Sequence, residues 1–260
     1  MSKFYGRQPV KHDHRTLRLE NYLLAGANEL LAAAAPLPAP PPAVNWGQPI
    51  DAWRMYGNDV RGCCEVAAAA ELERVWSANG GAELAPTDDQ VLQEYIGFTG
   101  YNPQTGANDN GIATLDLLNK WKNVGLFGGR KIEAFVAINP QNTEALKLGI
   151  SWFGGVFLGV RIFASDERQF DEGVIWNRAL WPGVLEGLHA IPVPTYDEFL
   201  LYPVTWGRFQ GATRDWVVNR AEEAYAIVSR EFINYAHNGQ APNGLNLQQL
   251  LADAAALSAA

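Results

Sequence analysis

Cys63 and Cys64, the only cysteines of the chain, stand two residues before a run of four alanines, Ala67 to Ala70. The stretch Tyr56 to Ala70 reads as a turn feeding a helix from Gly62 to about Trp76, with both thiols at the helix mouth. Four alanines in a row let a neighbouring sheet approach the helix closely. A thiol there meets unpaired backbone N–H groups and the positive end of the helix dipole, both of which favour thiolate. This corner is the candidate reactive site, and the rest of the chain has to be arranged around it.

At 260 residues and 48% apolar content the chain supports one large domain with attachments, or two small ones. The net charge of −8, spread without long runs, offers no footprint for nucleic acid or an anionic membrane. Two adjacent cysteines cannot build a disulfide framework, so a reducing compartment is expected, although a strained vicinal Cys63–Cys64 disulfide stays open as an alternative. Tyr22 to Ala35 looks like a signal-peptide core, but Asn28 and Glu29 interrupt it and Asp13 and Glu20 sit in its leader, so secretion is not expected. No stretch reaches the apolar length of a membrane span.

Residues 1–43 divide into a basic arm with Lys3, Arg7, Lys11, Arg15 and Arg18, a short helix over residues 21–35, and a polyproline strap from Pro36 to Ala43. The arm carries His12-Asp13-His14, but no further Cys or His lies nearby and no metal or cofactor is expected. The strap lies along the domain surface or lets the arm reach a neighbouring subunit. Residues 44–238 form the body. Helices are expected at 87–95, behind the capping signal of Thr87, and at 112–124 and 141–152. Strand-like alternation marks 131–138, 155–162, 189–194 and 200–207, the last two read as a pair. Residues 164–187 read as a loop, 215–222 as a helix and 224–228 as the closing strand or helix end. Trp152, Trp176, Trp181 and Trp216 are expected in the core or a pocket wall, and Asp109 as a loop brace. Residues 239–260 are a linker and an Ala/Leu-rich tail.

Helices first, strands second, a Cys at the first core helix and a His opening a late strand: this order resembles the papain-like cysteine peptidases. The resemblance covers about residues 45–230. Asn58 to Ala68 is similar to that family's nucleophile segment, Gly187-Leu188-His189-Ala190 to its histidine strand, and Thr205-Trp206-Gly207 to the end of its Asn-Ser-Trp-Gly motif. The loop Gly106 to Gly111 and the helix behind it resemble its second helical element. The implied fold is α+β, with a helical half packed on a mainly antiparallel sheet. The implied chemistry is hydrolysis of a peptide or amide bond through an acyl-enzyme, with Cys64 as nucleophile, His189 as base and Asn58 in the oxyanion hole. Trp206 is expected to pack over the histidine strand. Val204 falls where the family carries the Asn that orients the His, and Thr205 is expected on the other face. Asp197 or Glu198 is left as a substitute.

Two uses follow. One is a cysteine hydrolase with a peptide or protein substrate. The other is a catalytically eroded structural protein, its residues 1–43 joining an assembly such as a phage virion or tail. The expected location is cytoplasmic or virion-associated.

Overall fold

A computed structural model describes residues 3–23 and 38–259. Most of the helix expected over residues 21–35, and the first two residues of the proline strap, lie outside them. What is described of the expected helix is its beginning, within a single 3-10 turn at Leu19–Tyr22.

The helical half comes first: α1 (Cys64–Asn79), α2 (Asp88–Thr99) and α3 (Thr114–Asn123). Thr87 caps α2 with a reciprocal capping box to Gln90, as the sequence predicts. The sheet half carries β2 (Ala134–Ile138), β3 (Val156–Phe163), β4 (Leu185–Val193) and β10 (Ala221–Val228), hydrogen-bonded in the order β2-β10-β3-β4 with every pair antiparallel. A second sheet, β1-β5-β6-β9, joins Val44–Asn45, Thr195–Tyr196, Leu200–Tyr202 and Ala212–Thr213. A hairpin pairs β7 (Val204–Thr205) with β8 (Arg208–Phe209). The remaining helices are α4 (Thr143–Phe153), α5 (Ala164–Asp171), α6 (Arg214–Arg220), α7 (Arg230–His237) and α8 (Leu247–Ala259). This is the α+β arrangement expected. None of these helices is long and apolar enough to cross a membrane.

β3 explains how the two halves meet. Its period-2 alternation sends Val156, Leu158, Val160 and Ile162 into one apolar cluster with α4, Trp176 and Trp216, while Phe157 joins the other cluster with α1, α2 and α3. Gly159 lies on the α1 side with Phe157. α1 packs on β4 through its small alanines, which are buried throughout, and so fixes its N-terminus beside the histidine strand.

Several expectations need correction. The strands at 189–194 and 200–207 do not pair with each other: β4 pairs with β3, and β6 pairs with β5 and β9. Residues 164–187 are not all loop, because Asp166 turns back to accept from the Phe163 N–H and opens α5. α7 was not anticipated; the Ser229 hydroxyl caps it and Asn238 ends it at φ +51°. Trp181 is 90% exposed and belongs to no core, whereas Trp176 and Trp216 are fully buried and stack at 4.4 Å. In the tail, α8 packs on β2, and the Tyr22 hydroxyl donates to Asp253 at 2.9 Å.

Candidate functional site

Two tight turns present the site. In Met55 to Asn58 the central residues Tyr56 and Gly57 have φ of +55° and +73°, closed by the Asn58 N–H on the Met55 carbonyl at 3.0 Å. In Thr205 to Arg208 the central Trp206 and Gly207 have φ of +43° and +77°. Positive φ at both central residues is the type I′ signature. Holding a non-glycine residue in this region costs about 1–2 kcal/mol. For Trp206 the cost is offset by burial and by stacking on His189 at 4.6 Å and 11°.

Cys64 opens α1 and is fully buried. The backbone N–H groups of Ala190 and Gly6 point at its sulfur, so the thiol sits one residue along β4 from His189. Burial, and secondarily the neighbouring Glu65, push the Cys64 thiol up to about 12. His189 is equally buried, and burial together with the Arg7 charge brings its imidazole down to about 3. Both groups are therefore neutral as the protein stands. Cys63 and Cys64 are free thiols, not a vicinal disulfide. Cys63 turns away, its thiol 3.4 Å from the Tyr56 carbonyl.

The partner of the imidazole is Thr205. Its Oγ1 lies 2.7 Å from His189 Nε2, while Nδ1 has no partner. The alternation argument that sent Thr205 to the opposite face fails because β7 is only two residues long and the I′ turn bends immediately after it. Asp197 is not at the histidine: its carboxylate accepts from the Phe199 and Leu200 N–H groups and the Tyr202 hydroxyl, bracing the turn between β5 and β6. Asn58 is buried with its side-chain oxygen unpartnered, and lines one small crevice with Cys64, Ala190, Val204 and Trp206. Asp109 ties this corner down, accepting from the Gly62 N–H at 2.9 Å and from the Tyr95 hydroxyl.

The arm is the feature that the residues did not announce. It does not extend outward but runs between β4 on one side and the Gly62 and Ile112 segments ahead of α1 and α3 on the other. The Arg7 N–H donates to the Leu188 carbonyl at 3.2 Å, the Ile112 N–H to the Gly6 carbonyl at 2.8 Å, and the Gln8 N–H to the Ile112 carbonyl at 2.9 Å. Tyr5 meets the His189 ring edge-on at 5.8 Å and hydrogen-bonds Glu167. Gly6 crosses where only glycine fits: a Cβ there would lie 1.7 Å from the Gly62 carbonyl oxygen. A Cβ on Gly111 would lie 2.0 Å from the Gly6 oxygen, and one on Gly187 2.4 Å from Tyr5 Cβ. Lys3 pairs with Asp171 at 2.7 Å, and Lys11 with Asp116. Arg7, fully buried, bonds Glu223 at 2.9 Å and Glu222. The available signal was a lone glycine in a basic arm, with glycines at 62, 111 and 187 beside the three expected site segments.

Among the described residues no cluster of metal-ligating side chains occurs, and Asp13 of the His12-Asp13-His14 triplet is held by Arg15 at 2.7 Å.

By sequence the chain matches no protein-family model and no curated protein. By structure it has the papain-like fold. It is similar to xylellain, a cysteine protease from Xylella fastidiosa, with a TM-score of 0.64 at 15% identity over 88% of this chain and 97% of that one. It is similar to the cysteine protease and lectin-like domains of Cwp84 from Clostridium difficile, TM-score 0.56 at 12% identity, over 87% of this chain and 56% of that one. A third likeness is to the Carica candamarcensis cysteine protease CMS1MS2, TM-score 0.51 at 13% identity, over 73% of this chain and 99% of that one.

Proposed function

We propose that the chain is a cysteine hydrolase of peptide or amide bonds, with Cys64 as nucleophile and His189 as its base, described here with its own arm closing the cleft. The observation that carries this reading is the imidazole: Nε2 is anchored on Thr205, the ring is stacked under Trp206, and Nδ1 is left without a partner one residue from a thiol at a helix N-terminus.

The chemistry follows from removing the arm. Water reaches the thiol and the imidazole, the burial that keeps both neutral is relieved, and the Arg7 charge that opposes imidazolium departs. With the Thr205 hydroxyl accepting from Nε2–H, the Nδ1 lone pair takes the thiol proton. The Cys64 thiolate attacks the substrate carbonyl, and the oxyanion is met by the Cys64 N–H and the Asn58 amide. Imidazolium returns its proton to the leaving amine, and water activated by His189 hydrolyses the thioester. In this reading Asn58 stands in for the longer family Gln, supported by the I′ turn at Tyr56-Gly57 and by the crevice that Asn58 shares with Cys64.

The assembly role gains no support, since Lys3, Arg7 and Lys11 pair with carboxylates of the chain's own body. The test is hydrolysis of a fluorogenic peptide-amide mixture by an arm-released chain, Gly6→Val, with Cys64→Ala in the same background. Turnover that disappears with Cys64→Ala supports the reading. Turnover that survives it, or a released chain with an alkylatable thiol and no hydrolysis, overturns it.

A further inference from the structure

Arg7 does more than cross the cleft, because its side chain fills a pocket built into the body. One wall is α1, through Glu65, which directly follows Cys64. Another is β3, where Gly159 has no side chain: a Cβ there would lie 2.9 Å from Arg7 Cδ and 2.6 Å from Glu223 Cγ. Gly159 pairs in register with Ala190, whose N–H points at the Cys64 sulfur. The pocket therefore adjoins the reactive thiol by one residue on each side.

Its floor is a carboxylate relay. The Thr114 hydroxyl sits 2.8 Å from Glu65 Oε1 and 2.8 Å from Glu223 Oε1, and the Tyr225 hydroxyl donates to Glu223 Oε2 at 3.2 Å. One hydroxyl proton cannot serve two carboxylates, so Glu65 carries a proton of its own and Thr114 donates to Glu223. Burial and the nearby Glu223 raise the Glu65 carboxyl in the same sense. Glu65 Oε2, in a side chain with no exposed surface, keeps no partner. Arg7 answers with a fork: Nη1 donates to Glu223 and Nη2 to Glu222 at the rim. Two nitrogens on two separate carboxylates suit a guanidinium better than the point charge of an ammonium.

Without the arm this pocket keeps Glu65 and Glu223 with no basic side chain on them, while Glu222 at the rim keeps Arg161 at 3.5 Å, and it opens to the cleft next to the nucleophile. We propose that it is the specificity pocket of the cleft and takes the arginine side chain of a peptide substrate, the arm's Arg7 being its resident stand-in. This rests on the peptidase reading above, and names the substrate class of that site: peptides carrying arginine close to the bond that is cut.

The experiment uses the full chain with Arg7→Ala, which vacates the pocket, and Gly6→Val as a second releasing variant should the first not fold. The probes are octapeptides in which a single arginine, or its uncharged isostere citrulline, is walked through an otherwise constant sequence. Cleavage gives kcat/KM for each pair, and binding to the same chain carrying Cys64→Ala gives Kd without turnover. At one position arginine is expected to beat citrulline by at least about tenfold in both, and Glu223→Gln is expected to collapse that ratio toward one. Cleavage with no arginine preference at any position overturns the pocket and leaves the peptidase. Tenfold tighter arginine binding with no cleavage upholds the pocket and overturns the peptidase. Equal binding and no cleavage overturn both.

Discussion

Arg7, Arg74 and Arg220 are buried guanidiniums that meet carboxylates, and Arg220 and Arg7 are held in different ways. Arg220 donates through Nε to Asp166 at 2.9 Å and lies over the Phe163 ring at 4.4 Å. Asp166 also accepts from Trp216 Nε1 at 2.9 Å and the Phe163 N–H at 2.9 Å, so both its oxygens are used by the domain itself. At the other site the cation comes from the N-terminal arm; each guanidinium leaves one nitrogen without a partner, Arg7 Nε and Arg220 Nη2, but only at the Arg7 site does a carboxylate oxygen, Glu65 Oε2, lack one as well. A structural ion pair is closed by its surroundings. The Arg7 pocket is closed by a segment from outside its own walls, which leaves Glu65 Oε2 unanswered.

That contrast can be broken most directly through stability. Asp166→Ala strands Arg220 in the core without its charge partner, and removing one member of a buried pair costs about 3–5 kcal/mol. The expected loss in melting temperature is about 10 °C at pH 7. Arg7→Ala exposes its pocket to water instead, and should cost clearly less by the same thermal melt. Equal losses would make the two sites alike and remove the reason to treat one as functional.

The next largest effect is in thiol reactivity. With the arm seated, the Cys64 thiol stands at about 12, so iodoacetamide labelling of Cys64 should be slow at neutral pH and climb steadily through alkaline pH. In Arg7→Ala or Gly6→Val the thiol returns toward its ordinary range near 8.5 and labels on the order of 10²-fold faster at pH 7.5. The Arg7 charge itself favours the thiolate, so Gly6→Val, which alters no charge, should gain as well; labelling as slow as wild type in both variants would show that the arm does not shield the thiol.

A smaller effect sharpens the account of Glu65. Its folded-state pKa is raised by burial, so between the unfolded value near 4.5 and the folded one the native state binds more protons than the unfolded state. Stability is lost across that window as pH rises. Glu65→Gln should therefore melt close to wild type at pH 4 and higher than wild type by a few degrees at pH 8; a pH-independent difference would mean that Glu65 is ionised in its pocket. Smallest of all, in an arm-released chain Thr205→Val should lower kcat about three- to tenfold through loss of one neutral hydrogen bond. Thr205→Ser should restore it, and an unchanged kcat would remove Thr205 as the anchor of His189.

The order and type of the main elements were readable because they depend on local signals: the Thr87-to-Gln90 capping box, the alanines that press α1 onto β4, and the alternation along β3. The Cys64, His189 and Trp206 segments were readable as a resemblance in order. Thr205 was not, since a two-residue strand ahead of a positive-φ turn breaks the rule that assigns its face. Asp197 was misjudged as a stand-in for the missing Asn because its turn consumes both its oxygens locally, which no count of spacing reveals. The arm was illegible for a deeper reason. Every contact that seats it joins residues 3–11 to positions more than fifty residues away, and periodicity carries nothing about such pairs.

The crossing at Gly6 also sets how the molecule breaks. Gly6 and Gly111 make the arm crossing glycine against backbone and Gly187 meets the Tyr5 side chain, and any residue that replaces a glycine adds at least a Cβ. Random damage at residues 6, 62, 111 or 187 therefore dislodges the plug and does not jam it in place. On the proposed reading the cleft therefore fails open, and such errors bring untimely activity, a hazard opposite in kind to its loss.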